Sequence, residues 1–194
     1  DAASIPKEQL GLLEAIGFMN EDGFAEDAAL TRAEFCSMIC SIFKYEPDPE
    51  AELPFRDIDK THPYYGSIAT LYQKGAVKGI SKYAMAPNKT ITLGEAGVIA
   101  VTALGYDKLA EINGGKYYSQ GAALGLFDGI AGGENEALSE DAAVKMMYNI
   151  LFAPIMSYEP YGNEISYSMD KDLLMMNKIY DMYEVKGTVR ENDT

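Results

Sequence analysis

Few side chains in this sequence are equipped for chemistry. The single histidine, His62, excludes a multi-histidine metal site and leaves one candidate for a Ser–His–Asp triad. It precedes Pro63 with no catalytic motif around it, so it reads as a loop or capping residue. The two cysteines, Cys36 and Cys40, fall four apart on an expected helix. That geometry is poor for a disulfide, and no further soft ligand lies nearby, so they read as small buried thiols. Asn20-Glu21-Asp22-Gly23 looks faintly like a calcium loop, but Phe18 stands where the first Asp belongs. Gly129, Gly132 and Gly133 are followed by no Gly-Lys-Ser/Thr, so no phosphate loop is expected. No carboxylate pair is singled out as a glycosidase dyad. The methionines from Met146 to Met182 read as core filler, not copper ligands. No metal, no cofactor and no catalysis are therefore expected.

One cation stands apart. Arg32 falls at the first position of an expected helix, where the helix dipole disfavours positive charge. That misfit points to a ligand or to a salt bridge with a nearby carboxylate. Other residues have two readings. Thr31 with Glu34, and Thr92 with Glu95, have the spacing of capping boxes, and their side chains could instead touch a ligand. Tyr64, Tyr65, Tyr117 and Tyr118 either stack on sugar rings or close a core with the hydroxyl at its rim.

The elements that position these residues follow from a repeated outline: an apolar helix, a Gly near its end, a Gly/Asn/Asp/Pro loop, a hydroxyl residue, and a second apolar helix. The middle copy is clearest. Ile68, Leu71 and Tyr72 have inward helical spacing, and Gly75 to Gly79 follow. A loop Ser81 to Lys89 and Thr90-Ile91-Thr92 lead into a helix over Leu93 to Leu104. In the third copy Gly125 and Gly129 repeat the two glycines, and Ser139 opens a helix carrying Ala143, Val144, Met147, Ile150 and Leu151. The first copy carries Leu10, Leu13, Ile16 and Gly17, a loop Asn20 to Ala29, then Thr31 and a helix with Phe35, Met38, Ile39 and Ile42. Thr31, Thr92 and Ser139 are expected N-caps. Each copy is too small to bury its own apolar faces, so the copies should share one core. Glu46-Pro47-Asp48-Pro49-Glu50 reads as a stiff acidic linker.

With 194 residues, 16 basic and 30 acidic, the chain is long enough to fold without staples and carries a net charge of −14. That charge argues against nucleic acid and anionic lipid as partners. No apolar run approaches the ~20 residues of a membrane helix, so no membrane insertion is expected. Residues 47–106 are charge-balanced and offer an anion the least repulsion.

These motifs resemble the S-layer homology (SLH) family of bacterial cell-surface proteins. Leu30-Thr31-Arg32-Ala33-Glu34-Phe35 carries the likeness in the first copy. Phe55-x-Asp57-Ile58, His62-x-x-Tyr65, Leu71-Tyr72-x-Lys74-Gly75-x-Val77-x-Gly79 and Pro87-Asn88-Lys89-x-Ile91-Thr92 carry it in the second. The resemblance implies a mainly α fold, with three helix-loop-helix repeats over 1–46, 47–106 and 107–155 packed as a pseudo-threefold bundle. A short α/β extension or following domain occupies 156–194. It implies an exported protein held non-covalently at the cell wall, with pyruvylated secondary cell-wall polysaccharide in inter-repeat grooves and other S-layer proteins as further partners. Candidate ligand residues are Arg32, Glu34, Thr31, Lys74, Lys78, Lys89, Thr92, Glu95 and Tyr65. The pattern departs at Thr92-Leu93-Gly94-Glu95 and Ser139-Glu140-Asp141-Ala142, which lack the arginine. Glu140 and Asp141 would repel an anionic sugar, so at most one or two grooves are expected to work, the best at Arg32. A degenerate module serving as a structural or protein-interaction spacer is the alternative, and an extracellular hydrolase a weaker third.

In the extension, Ile165 to Met169 reads as a strand, Leu173 to Tyr183 as an amphipathic helix, and Val185 to Val189 as a strand opening another domain, with the chain continuing past Thr194.

Overall fold

The computed structural model describes residues 5–19, 29–161 and 164–183. The calcium-like stretch 20–23, most of the first loop and the strand expected over 185–189 lie outside them. The described residues are mainly helical: α1 (Lys7–Ala15), α2 (Arg32–Ile42), α3 (Tyr65–Gln73), α4 (Leu93–Ala103), α5 (Asp107–Ile112), α6 (Tyr117–Ala123), α7 (Glu140–Leu151) and α8 (Met175–Tyr180). Strands β1 (Pro154–Tyr161) and β2 (Glu164–Leu174) pair antiparallel.

The helices start and stop by shared devices. After α1, α3 and α6 the chain turns at Gly17, Gly75 and Gly125, whose φ values of 73°, 73° and 75° suit a residue without Cβ. In each case two amides reach back to carbonyls of the last turn, as in Ala76 N to Leu71 O at 2.8 Å and Gly75 N to Tyr72 O at 3.0 Å. At the other end, Thr31 and Thr92 form complete capping boxes with Glu34 and Glu95. Ser139 departs from expectation. Its hydroxyl donates to the Asp141 carboxylate and caps no helix amide.

The lead-in residues tie the chain together. Leu30 N donates to Leu138 O, Leu138 N to Ile91 O, and Ile91 N to Leu30 O, at 3.0, 2.9 and 2.9 Å. This closed ring satisfies backbone groups at the centre of the core, where Leu30, Ile91 and Leu138 are all buried. Around it, α2 packs on α3, α4 on α6, and α7 on α1. The first helical amides then find acceptors in a neighbouring loop. Arg32 N and Ala33 N donate to Lys89 O and Pro87 O, and Leu93 N and Gly94 N donate to Glu136 O and Glu134 O. Loops thereby cap α2 and α4, which explains how polar lead-in segments sit inside a packed structure.

Five features differ from expectation. Residues 46–50 do not span freely: Pro47, Asp48 and Pro49 lie against Gly66 of α3, and Asp48 N donates to Thr70 Oγ1 at 3.0 Å. Tyr72 faces outward and makes an edge contact with Phe55 instead of filling the core. The short helix α5 was not legible as such. Pro154 and Pro160, residue types that ordinarily interrupt regular structure, lie within β1, because a two-stranded ribbon has free edges that tolerate proline. The expected helix from Leu173 shortens to Met175–Tyr180, ended by Asp181 in a left-handed conformation at φ 52°. The extension docks on the bundle through Tyr106 Oη to Pro154 O (2.6 Å), Tyr180 Oη to Ile42 O (3.0 Å) and the buried Met175 and Met176.

Candidate functional site

A groove of about 400 Å³ opens beside Arg32. The turn after α3, from Gly75 to Ile80, forms one wall, and Glu95, Val98, Ile99 and Thr102 of α4 form the other. Tyr117, the first residue of α6, closes an end. Ile80 and Val98 present exposed apolar surface, so the groove combines a charged corner with a greasy rim.

Arg32 is held rigidly. Its side chain is only 6% exposed. Nε donates to Met85 O at 3.1 Å and Nη2 to Lys78 O at 3.2 Å. Two fixed carbonyls orient the guanidinium plane, and Nη1 lies 3.7 Å from Glu95 Oε2. That separation is an ion pair, longer than a hydrogen bond. Both sequence readings of Arg32 therefore meet in one place: it has its carboxylate neighbour and it lines a groove.

Glu95 carries several interactions at once. Oε2 accepts from Thr92 N at 3.2 Å, and Oε1 accepts from Lys89 Nζ at 2.8 Å. Partial burial pushes its carboxyl up, but Lys89, the Thr92 amide and Arg32 together outweigh burial and hold it below its ordinary value.

The remaining candidates are sorted by the fold. Lys78 lines the Arg32 groove, and Lys89 and Thr92 reach it through Glu95. Lys74 points elsewhere, with Nζ 4.1 Å from the Tyr45 ring centroid. Tyr65 is a core residue, 4% exposed, whose hydroxyl donates to Ala51 O at 2.9 Å. Its ring is therefore closed to a ligand, and a core reading applies. Thr31 and Glu34 join through two bonds of 2.8 Å from Thr31 N and Oγ1 to Glu34 Oε2. Ile80, Val98 and Thr102 were missed by sequence reasoning. Their helix and turn positions were readable, but their exposure was not.

Glu34 lines a second groove, of about 360 Å³, with Phe18, Ser37, Met38, Ser41, Tyr64 and Glu140. Its register matches the first. The first residue of one helix is Arg32 in the first groove and Glu140 in the second. The third, seventh and tenth residues of the opposing helix are Glu95, Ile99 and Thr102 in one, and Glu34, Met38 and Ser41 in the other. A tyrosine closes each. The same mould thus carries a cation in one groove and a carboxylate in the other.

Cys36 and Cys40 are buried free thiols, as expected. Burial pushes them up to about 12 and about 11, which leaves them protonated and unreactive at neutral pH. His62 sits in its loop, with Nδ1 accepting from Tyr64 N at 3.2 Å. Among the described residues, no cluster of His, Cys, Asp or Glu could hold a metal ion, and no helix is long and apolar enough to cross a membrane.

This geometry, inter-helical grooves beside a Thr-Arg-Ala-Glu helix start, is accompanied by a family match. Residues 54–96 match the family model of the S-layer homology domain. The whole chain is similar to two larger proteins. It is 28% identical over 192 residues to a surface layer protein of Brevibacillus choshinensis, covering 96% of this chain and 16% of that one. It is 25% identical over 186 residues to the middle cell wall protein of Brevibacillus brevis, covering 92% of this chain and 17% of that one. The chain thus spans about a sixth of the length of these curated relatives.

Proposed function

We propose that this chain is a cell-surface anchoring module that holds an anionic cell-wall polysaccharide non-covalently in the Arg32 groove. The observation that carries the reading is the fixed guanidinium of Arg32 at the charged corner of a groove also lined by Lys78, Ile80 and Val98. A ligand with a carboxylate beside an apolar group, such as the pyruvate ketal implied by the family resemblance, suits that combination of cation and greasy rim. The S-layer homology match at 54–96 and the names of the two relatives support a place at the cell surface, in the wall layer, and a binding role without catalysis.

In this reading three units over 1–46, 47–106 and 107–155 surround a pseudo-threefold axis, followed by an extension. The closed backbone ring of Leu30, Ile91 and Leu138 supports that arrangement. The units are unequal in use. Leu93 takes the first helical position in α4, and Glu140 in α7 places a carboxylate where an anion would need a cation. One groove, at Arg32, therefore does the anchoring.

A second reading, a structural or protein-interaction spacer in the surface layer, is favoured by the bonds of Arg32 to two main-chain carbonyls, which a purely structural arginine would also make. Co-sedimentation with purified cell-wall sacculi, before and after chemical removal of the secondary polymer, separates the two. Polymer-dependent pelleting that is weakened by Lys78→Ala, at an exposed position, supports anchoring. No pelleting with any sacculus carrying a pyruvylated polymer supports the spacer.

A further inference from the structure

We infer that Glu95 is an internal counter-ion that occupies the ligand's place on Arg32 and must yield before an anion binds, so that Glu95 and Lys89 set the affinity of the groove without touching the ligand. The inference rests on the anchoring reading and concerns the regulation of the same groove.

The geometry around Arg32 carries the argument. Nε and Nη2 are committed to the carbonyls of Met85 and Lys78. The guanidinium therefore cannot swing toward an incoming anion. Its Nη1 corner has the Glu95 carboxylate 3.7 Å away, and Glu95 belongs to the wall of the groove. An anion arriving at that corner meets a carboxylate already there, and two carboxylates in one place repel each other.

Glu95 is also tethered so that yielding is easy. The Thr92 amide holds Oε2, and the Lys89 ammonium holds Oε1 at 2.8 Å. Giving up a 3.7 Å contact leaves both tethers in place, so the carboxylate is never stranded without a partner. Lys89 draws the charge away from Arg32 from the outer side. Glu34, in the second groove, is bound twice by Thr31 and, among the described residues, pairs with no lysine. Among the described residues, the pairing of a yielding glutamate with a lysine thus belongs to the groove that keeps the arginine.

The test measures binding of the whole chain to sacculi carrying pyruvylated polymer, for wild type, Glu95→Gln, Lys89→Ala and the double variant. Glutamine retains the capping box while removing the charge, so the fold should persist, and circular dichroism checks it. Glu95→Gln should bind roughly threefold to tenfold more tightly, the range expected for removing a partly screened charge. Lys89→Ala should weaken binding roughly twofold to fivefold in the wild-type background and have no effect on top of Glu95→Gln. A direct Lys89–ligand contact would instead weaken binding equally in both backgrounds and overturn the inference. So would unchanged or weaker binding by Glu95→Gln. If neither wild type nor Glu95→Gln binds, the anchoring reading itself falls, and the inference with it. If wild type binds and Glu95→Gln gains nothing, only the inference falls.

Discussion

Replacing Arg32 with lysine separates charge from shape. Lysine keeps the positive charge and a long stem, but it has one ammonium where arginine has a planar fork. Arg32 serves Met85 O and Lys78 O with two different nitrogens at 3.1 and 3.2 Å, from a side chain only 6% exposed. A single ammonium at the stem's end cannot occupy the places of both nitrogens at once. A buried carbonyl left without its donor costs about 1–3 kcal/mol, so Arg32→Lys should lose about 2 kcal/mol of stability. In a chain of this size that corresponds to about 4–8 °C in Tm. Binding to pyruvylated sacculi should fall at least about tenfold at a temperature where the variant is fully folded, because a lysine drawn to a carbonyl presents no fixed edge to the groove. Thermal melts followed by circular dichroism, with pelleting at 10–20 °C below the variant's Tm, read both effects. A variant that melts within about 1 °C of wild type would refute the two-carbonyl reasoning. Full binding by a destabilised Arg32→Lys would show that charge alone suffices.

The caps make a paired prediction: Thr92→Ala should cost about 1 kcal/mol in urea titrations, whereas Ser139→Ala should cost little, because Ser139 caps no amide. Equal losses would contradict the assignment. Gly79→Ala should cost about 2 kcal/mol or more, since a Cβ there would lie 2.5 Å from the carbonyl oxygens of Ala84 and Ser81, and a neutral result would refute that close packing. Cys36 and Cys40 should resist alkylation at pH 8 until urea unfolds the chain. Their raised values hold the folded state more strongly protonated than the unfolded state, so this contribution to stability is full below about pH 9 and is lost as pH rises through about 11 to 12. Rapid native labelling, or flat stability across that window, would contradict their burial.

The helices were readable wherever local chemistry decided them. Thr-x-x-Glu spacing placed the starts of α2 and α4, and Gly17, Gly75 and Gly125 placed the turns after α1, α3 and α6. Ser139 misled because a serine followed two residues later by aspartate has a nearer partner than the helix amide. Tyr72 has inward helical spacing yet lies outside, and Tyr65, open to a core or a ligand reading, lies in the core. Helical spacing says which residues share a face, but the docking of residues 46–50 on α3 decides which face is covered. For the groove, the charge misfit at Arg32 was visible in the sequence. The two carbonyls that fix it, 46 and 53 residues away, were not, because backbone acceptors leave no trace in residue type. Lys74 carried the right charge in the right segment, yet it settles over Tyr45.

The most direct test of the anchoring account is amide and methyl chemical-shift mapping of the folded chain titrated with a pyruvylated fragment of the wall polymer. The account predicts saturable shifts concentrated at Arg32, Lys78, Ile80, Val98, Thr102 and Tyr117, and none at Ser37, Ser41 and Glu140. Shifts centred on the second groove, or no saturable shift at all, would contradict it.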